Sequence, residues 1–342
     1  MERLTWIHAD DQLDEINVID LIQQADMQVK TAPGSELIDN TFSLTIPESE
    51  WIKNPIRVGH YVYAPQTEWG GPVTLVQHNT EDGMITIQGP TWRGLLYQKR
   101  IYPPAGSGYL AFTDVDANSL ISAIVGTSFG SLFTVSSEAC GTLVSASYRY
   151  QSYAVGLQDT LRDYGLRLNV VFDNVQQSVI LSAVQTNDLT DDIEISQDYG
   201  LHFVSSIGNV EYANHCLALG SGELANRMVL NVYVTESGYT TSLPSGMSDA
   251  DVRTVLLDYP NAESADALLK SAIKTLQACA AINGISVSDL QGISAEMGDV
   301  VSVRDRVTGL VGTAEIANKI LSIQNGVTKI SMQIENVIVG GA

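Results

Sequence analysis

GDVVSVRDRVTGLVGTAEIANKILSIQNGVTKISMQIE, residues Gly298–Glu335, is a run of short alternating strands punctuated by turn residues. Val301 and Val303 alternate with Ser302 and Arg304, the period of two that sends successive side chains to opposite faces of a strand. Thr308-Gly309 reads as a turn. Asn325-Gly326, between two alternating apolar runs, is a strong hairpin signal because both residues accept the positive φ that a tight turn needs. The stretch predicts a small antiparallel barrel and carries no catalytic constellation.

The first hundred residues repeat this style. Phe42, Leu44 and Ile46 alternate with Ser43 and Thr45, a further strand is expected around Val58 to Tyr63, and Asp82-Gly83 joins Val73–Gln77 to Met84–Gln88 as a hairpin. The module closes at GPTWRGLLYQKRIYPPAG, where Pro90 suits the first turn of a short helix and Pro103-Pro104 interrupts regular structure. Helical spacing then appears at Leu120, Ile121, Ile124 and Val125 after the capping candidates Asp116 and Asn118. It appears again at Leu157, Leu161 and Tyr164, stopping at Gly165. LRLNVVF and SVILSAV form a predicted hairpin, and the polar residues 186–192 lead out of the block. Strands resume at Val210–Leu219 and Arg227–Val234. A helix follows, with Ala265, Leu268, Leu269, Ala272, Ile273, Leu276 and Ala280 on one face and its end at Asn283-Gly284.

The predicted architecture is therefore α+β and multidomain. It has two small antiparallel β-barrel-like modules, an intervening α+β unit and one long amphipathic helix. The divisions are an N-terminal β-rich module over 1–108, an α+β unit over 109–198, and a second barrel module over 199–342 with its helix at about 262–282.

Composition narrows the function. The 342 residues are 44% apolar and 17% charged, a globular balance, and 18 basic against 39 acidic residues give a net charge of −21. Gripping nucleic acid requires clustered Lys and Arg, and the nearest approach to a cluster is Arg93, Lys99 and Arg100. An acidic surface lets a polyanion slide past without sticking. Cys140, Cys216 and Cys279 are widely spaced and form neither a disulfide framework nor a CxxC motif, which fits assembly in a reducing cytoplasm. There is neither a signal peptide at the start nor an apolar run long enough to span a membrane.

Several short motifs have the spacing of chemical sites but the wrong setting. Gly126–Gly130 matches G-x-S-x-G, but a helical pattern precedes it and a strand-like one follows, the reverse of a nucleophile elbow. Gly220–Ala225 matches G-x-G-x-x-A but leads into the β-branched run MVLNVYV, so a hairpin loop is expected. Asp114, Asp116 and Asn118 have the first spacings of a calcium loop, yet Ser119 and Val125 stand where glycine and a bidentate carboxylate are needed. His8, His60, His78, His202 and His215 include no i,i+4 pair, and the acid pairs Asp10-Asp11 and Asp191-Asp192 read as solvated loops. No cofactor, metal or catalytic residue is expected. Trp6, Trp51, Trp69 and Trp92 all lie in the first module, three of them expected in the core. Trp69, in the Gly-rich turn EWGGP, is the candidate for a surface contact.

In combination, four stretches resemble the tail hub or baseplate hub proteins of long-tailed bacteriophages, including the N-terminal hub region of tail-associated lysins. They are GPTWRGLLYQKRIYPP, LQDTLRDYGLRLNVVFDNVQQSVILS, GSGELANR and the closing segment quoted first. The resemblance implies a non-enzymatic structural protein of the virion tail tip, assembled in the host cytoplasm. It implies a homotrimeric ring whose paired modules match a hexameric tube and line a channel that DNA crosses. The implied partners are the tail tube or distal tail protein, a central spike, fibre or receptor-binding protein, and the tape measure protein. With the final strands ending at Ala342, no hydrolase region is expected beyond them. The alternatives are a cell-wall hydrolase using a carboxylate pair and a carbohydrate-binding tail-tip protein using the tryptophans.

Overall fold

Alternation organises the largest sheet. The computed structural model describes residues 4–31, 40–199, 204–206, 212–235, 238–260, 262, 264–279, 284–286, 294–324 and 326–339. Gln24–Lys30 buries Ala25, Met27 and Val29, and Thr41–Pro47 buries Phe42, Leu44 and Ile46, each as every second residue. The two strands pair antiparallel with Met27 opposite Phe42. Met84–Pro90 flanks Thr41–Pro47, and Val311–Gln324 flanks Gln24–Lys30 with Leu321 opposite Met27. The full order is Glu194–Ile195, Val300–Arg304, Val311–Gln324, Gln24–Lys30, Thr41–Pro47, Met84–Pro90 and Leu75–Asn79, with Val327–Val339 also paired to Val311–Gln324.

The strands quoted at the opening thus extend the N-terminal sheet. Two separate barrel-like modules were expected, but the described sheets are open and none closes into a barrel. Alternation fixes which face of a strand is buried; it does not say which strand lies alongside. The turns were more legible. Gly83 has φ 67 between Leu75–Asn79 and Met84–Pro90, and Gly326 has φ 78 between the last two strands, although Asn325 lies outside the described residues.

A four-stranded sheet, Glu15–Val18, Ile7–Ala9, Tyr61–Tyr63 and Gly70–Pro72 in that order, packs on the larger one. The contact is made by glycines. A Cβ on Gly71 would run into the Pro90 carbonyl oxygen, a Cβ on Gly89 into that of Pro72, and both would press on the Phe42 ring. The short helix α1 (Glu48–Trp51) follows Thr41–Pro47, and Thr91 caps the next helix, α2 (Trp92–Tyr97), its Oγ1 accepting from Gly94 N, so Pro90 ends a strand and α2 begins two residues later.

The second core contains α3 (Ala117–Val125), capped by Asp116, α4 (Tyr153–Asp163), capped by Ser152, and the sheet Phe133–Val135, Ser178–Gln185, Leu166–Asp173. Gly165, at φ 67, follows α4 as the sequence predicted. Phe172 reaches across to the first hundred residues, its ring 4.0 Å from that of Tyr63 and 5.5 Å from that of Trp92. Ile7, Ala9, Leu13, Trp92 and Leu96 share this core with Leu157, Leu161 and Phe172, so a boundary at 108/109 would cut through it.

The chain forms two compact units. The first comprises Met1–Phe203, Ser286–Arg304 and Gly312–Val337, and the second Val204–Ile285, Asp305–Val311 and Ile338–Ala342. In the second, Gly238–Thr240, Val229–Thr235, His215–Leu219 and Thr254–Asp258 form one sheet in that order. Helix Ala265–Ala278, capped by Ser264 Oγ, buries Leu268, Ala272 and Leu276 in a core with Cys216, Ala218 and Val232. The expected extension of this helix to Ala280 and Asn283 lies outside the described residues.

His8 is buried on the Ile7–Ala9 strand. Its Nδ1 donates to Asn17 Oδ1 at 2.8 Å and its Nε2 lies 2.7 Å from His60 Nδ1, the two rings stacked at 5.0 Å. Burial pushes its pKa below the ordinary 6.5 and the His60 charge adds to that, while the Asn17 bond and Asp10 oppose it. Two predictions follow from this packing. Gly71→Ala and Gly89→Ala should each cost about 3 kcal/mol, against about 1 kcal/mol for Gly83→Ala, whose positive φ faces open space, measured by urea unfolding. The unfolded chain takes up a proton on His8 near pH 6.5 and the folded chain only at lower pH. Stability should therefore be intact above 6.5 and fall with acidification below it, and His8→Gln should flatten that part of the pH profile.

Candidate functional site

Trp69 is only 3% exposed, which corrects its assignment as a surface contact. EWGGP reads as an exposed turn. Instead, Gly70 at φ 152 and the Cβ-free Gly71 let this strand lie flush on the large sheet, and the indole is drawn inward. The Trp69 carbonyl accepts from Ala64 N at 2.8 Å and its amide donates to Thr67 Oγ1 at 3.0 Å. Trp6 and Trp92 are buried too, and Trp51 is half-buried, so three tryptophans are core but Trp69 is one of them.

The short motifs sit in loops. Gly126–Gly130 ends α3, with φ 48 and 62 at its two glycines, and Ser128 Oγ lies 2.8 Å from Tyr153 Oη. Gly220–Ala225 is a hairpin loop closed by Gly220 N donating to Met228 O at 2.7 Å and Met228 N donating to Ser221 O at 2.8 Å. Asp116 is a cap. Burial raises its pKa, but backbone N–H groups of Gly141, Cys140, Asn118 and Ser119 outweigh that and hold the carboxyl below its usual range. Asn118, inside the helix, donates from Nδ2 to Glu138 O and accepts from Ala183 N. Asp10 accepts from Gln12 N and Asp14 N in a turn, and Asp191 and Asp192 are exposed. Among the described residues no three His, Cys, Asp or Glu side chains are grouped to hold a metal, and His202 lies outside them.

Three arginines come together where the sequence showed no cluster. Arg93, from α2, and Arg162, from α4, meet Arg167 on the strand Leu166–Asp173 around a cleft of about 250 Å³ in the first unit. Gln158, Met297 and Glu315 also line it. Arg93 is 2% exposed and donates from Nη2 to Glu68 Oε2 at 3.3 Å and to Leu168 O at 3.1 Å. Arg162 donates from Nε and Nη2 to Glu315 Oε1 at 3.2 and 2.9 Å. Arg167 Nη1 donates to Met297 O at 3.4 Å and lies 3.5 Å from Asp299 Oδ1. Gly298, at φ 89, keeps the wall thin: a Cβ there would meet Thr186 at 3.0 Å and Arg167 at 3.3 Å. Lys99 and Arg100, which follow Arg93 after five intervening residues, are exposed, with the Lys99 ammonium over Phe129. The only sequence signal was a charged residue inside the apolar run PTWRGLL, since a buried guanidinium requires partners.

No sequence-family model matches the chain, and no curated protein does. Solved structures match its fold. The 43 kDa tail protein of prophage MuSo2 from Shewanella oneidensis superposes with a TM-score of 0.56 at 12% identity, covering 97% of this chain and 98% of that one. A tail protein from Neisseria meningitidis MC58 gives 0.51 at 9% identity, covering 97% and 96%. The prophage tail protein gp18 from Listeria monocytogenes EGD-e gives 0.50 at 10% identity, covering 96% and 94%. Over nearly its whole length, this chain has the fold of phage tail proteins.

Proposed function

We propose that this chain is a structural, non-enzymatic protein of a bacteriophage tail. In this reading it is a hub that forms a homotrimeric ring at the distal end of the tail tube. The ring joins the tube or distal tail protein to a central spike, fibre or receptor-binding protein, contacts the tape measure protein, and surrounds the channel through which DNA leaves. The observation that carries the reading is the likeness of fold to prophage tail proteins from end to end. The protein would be made and assembled in the host cytoplasm and would end in the virion.

Two further features support an assembly role. The strands Glu15–Val18 and Leu75–Asn79 lie at sheet edges and expose Ile16, Val18 and Leu75, so their free backbone groups can accept a strand from a neighbour. The net charge of −21 suits a surface past which a polyanion must slide. The glycan-binding alternative loses its aromatic platform with the burial of Trp69, and the acid pairs considered for a hydrolase lie in loops.

Light scattering on the purified native chain tests the ring. A mass near three times 36.9 kDa is expected; a species that stays at 36.9 kDa across the micromolar range would remove self-assembly from the proposal.

A further inference from the structure

The arginine cleft has hydrogen-bond donors left over. Arg93 Nε, Arg167 Nε and Gln158 Nε2 are all buried without a partner among the described residues, and all three residues are in the cleft wall. Gln158 is 7% exposed; its Oε1 accepts from Tyr97 Oη at 3.1 Å, which orients the amide. The Arg93 bonds run from Nη2, and those of Arg167 from Nη1. In Arg167 the unpartnered Nε shares an edge of the guanidinium with Nη2, the edge that holds a carboxylate through two parallel bonds. A buried donor without an acceptor is costly. Three such donors on residues of one cleft wall create a shared deficit, and all three are N–H groups.

We propose that this cleft is a binding site for a carboxylate. Acceptor-only chemistry is what the leftover groups lack, whereas a hydroxyl or amide ligand would bring donors of its own. Glu315 stands in the wall beside Arg162, while Glu68 and Asp299 pair with Arg93 and Arg167 from outside the lining. Leu166, Leu168, Met297 and Val300 provide apolar contact for a short stem. The volume suits one small organic acid or one acidic residue or chain terminus of a docked polypeptide. These two sources share the same chemistry. The site stands on this geometry alone and is independent of the tail reading.

The test follows the arginine Nε–Hε signals of the full chain by ¹⁵N NMR, with thermal melting in parallel. The probes are sodium acetate, sodium succinate and the capped peptide acetyl-Ala-Glu-Ala-amide, each against sodium chloride at equal ionic strength. Saturable movement of the Arg93 and Arg167 signals and a raised Tm are expected with at least one carboxylate and not with chloride. Saturation by the peptide at tenfold lower concentration than by acetate would assign the source as a polypeptide; equal or better binding of the free acids would assign it as a small molecule. Gln158→Glu keeps an acceptor for Tyr97 but replaces the spare donor with a like charge, and Arg167→Gln removes the forked edge. Each should weaken binding at least tenfold with an unchanged circular dichroism spectrum. No saturable movement with any carboxylate, the same movement with chloride, or wild-type binding by folded Gln158→Glu protein would overturn the proposal.

Discussion

Gly71 and Gly89 lie where two sheets meet backbone to backbone, each placed under the carbonyl of the other sheet's proline. The Gly71 position faces the Pro90 oxygen and the Gly89 position faces the Pro72 oxygen, with the Phe42 ring beside both. Ordinary face-to-face packing of sheets leaves about 10 Å for two layers of side chains. Here that spacing collapses locally, because neither residue has a Cβ to hold the strands apart. The consequence reaches outward along both strands. Trp69 is carried into the core one strand position before the contact region, and Thr91, immediately beyond Pro90, is left in place to cap α2, which presents Trp92 and Arg93. The aromatic core and the arginine cleft both depend on where α2 begins.

The aromatic contacts explain why a boundary drawn from composition fails near residue 108. Tyr61, Trp92, Phe172 and Tyr63 form a chain of ring contacts, with the Tyr61 and Trp92 centroids 5.9 Å apart. Rings of this size dominate the burial energy of the core they enter. Pro103-Pro104 and the change from strand to helix pattern are real features of the sequence, but they mark a change of local structure inside one core.

What was legible was local. The alternation in Thr41–Pro47 and Val300–Arg304, the cap at Asp116, the stop at Gly165 and the apolar face of Ala265–Ala278 all depend on neighbours within one turn or one strand, and each appears in the fold. The phage-tail resemblance rested on four such local stretches taken in combination. What was not legible was long-range. Nothing in the final segment says that Leu321 lies opposite Met27 in the same sheet, because alternation is blind to partner identity. Nothing in EWGGP says that its tryptophan is covered, because the cover is a strand about twenty residues away. The cleft arginines were misgrouped for the same reason: Arg93 was read with Lys99 and Arg100, its chain neighbours, whereas its neighbours in space are Arg162 and Arg167.

That regrouping changes how the acidity should be understood. Arg93, Arg162, Arg167, Arg304 and Lys319 are each engaged by carboxylates: Glu68, Glu315, Asp299, Glu194 with Asp198, and Glu296 with Glu68. Basic charge in these pairs is consumed within the first unit, where it joins elements far apart in sequence. The acids left over give the exterior its sign. Copies of such a chain repel one another over a screening distance of about 8 Å at physiological ionic strength, and added salt weakens that repulsion. Salt should therefore favour contact between copies formed through exposed strand edges and apolar side chains, whereas it weakens any grip on a phosphate backbone. Contact between copies and grip on a phosphate backbone thus respond to salt in opposite directions.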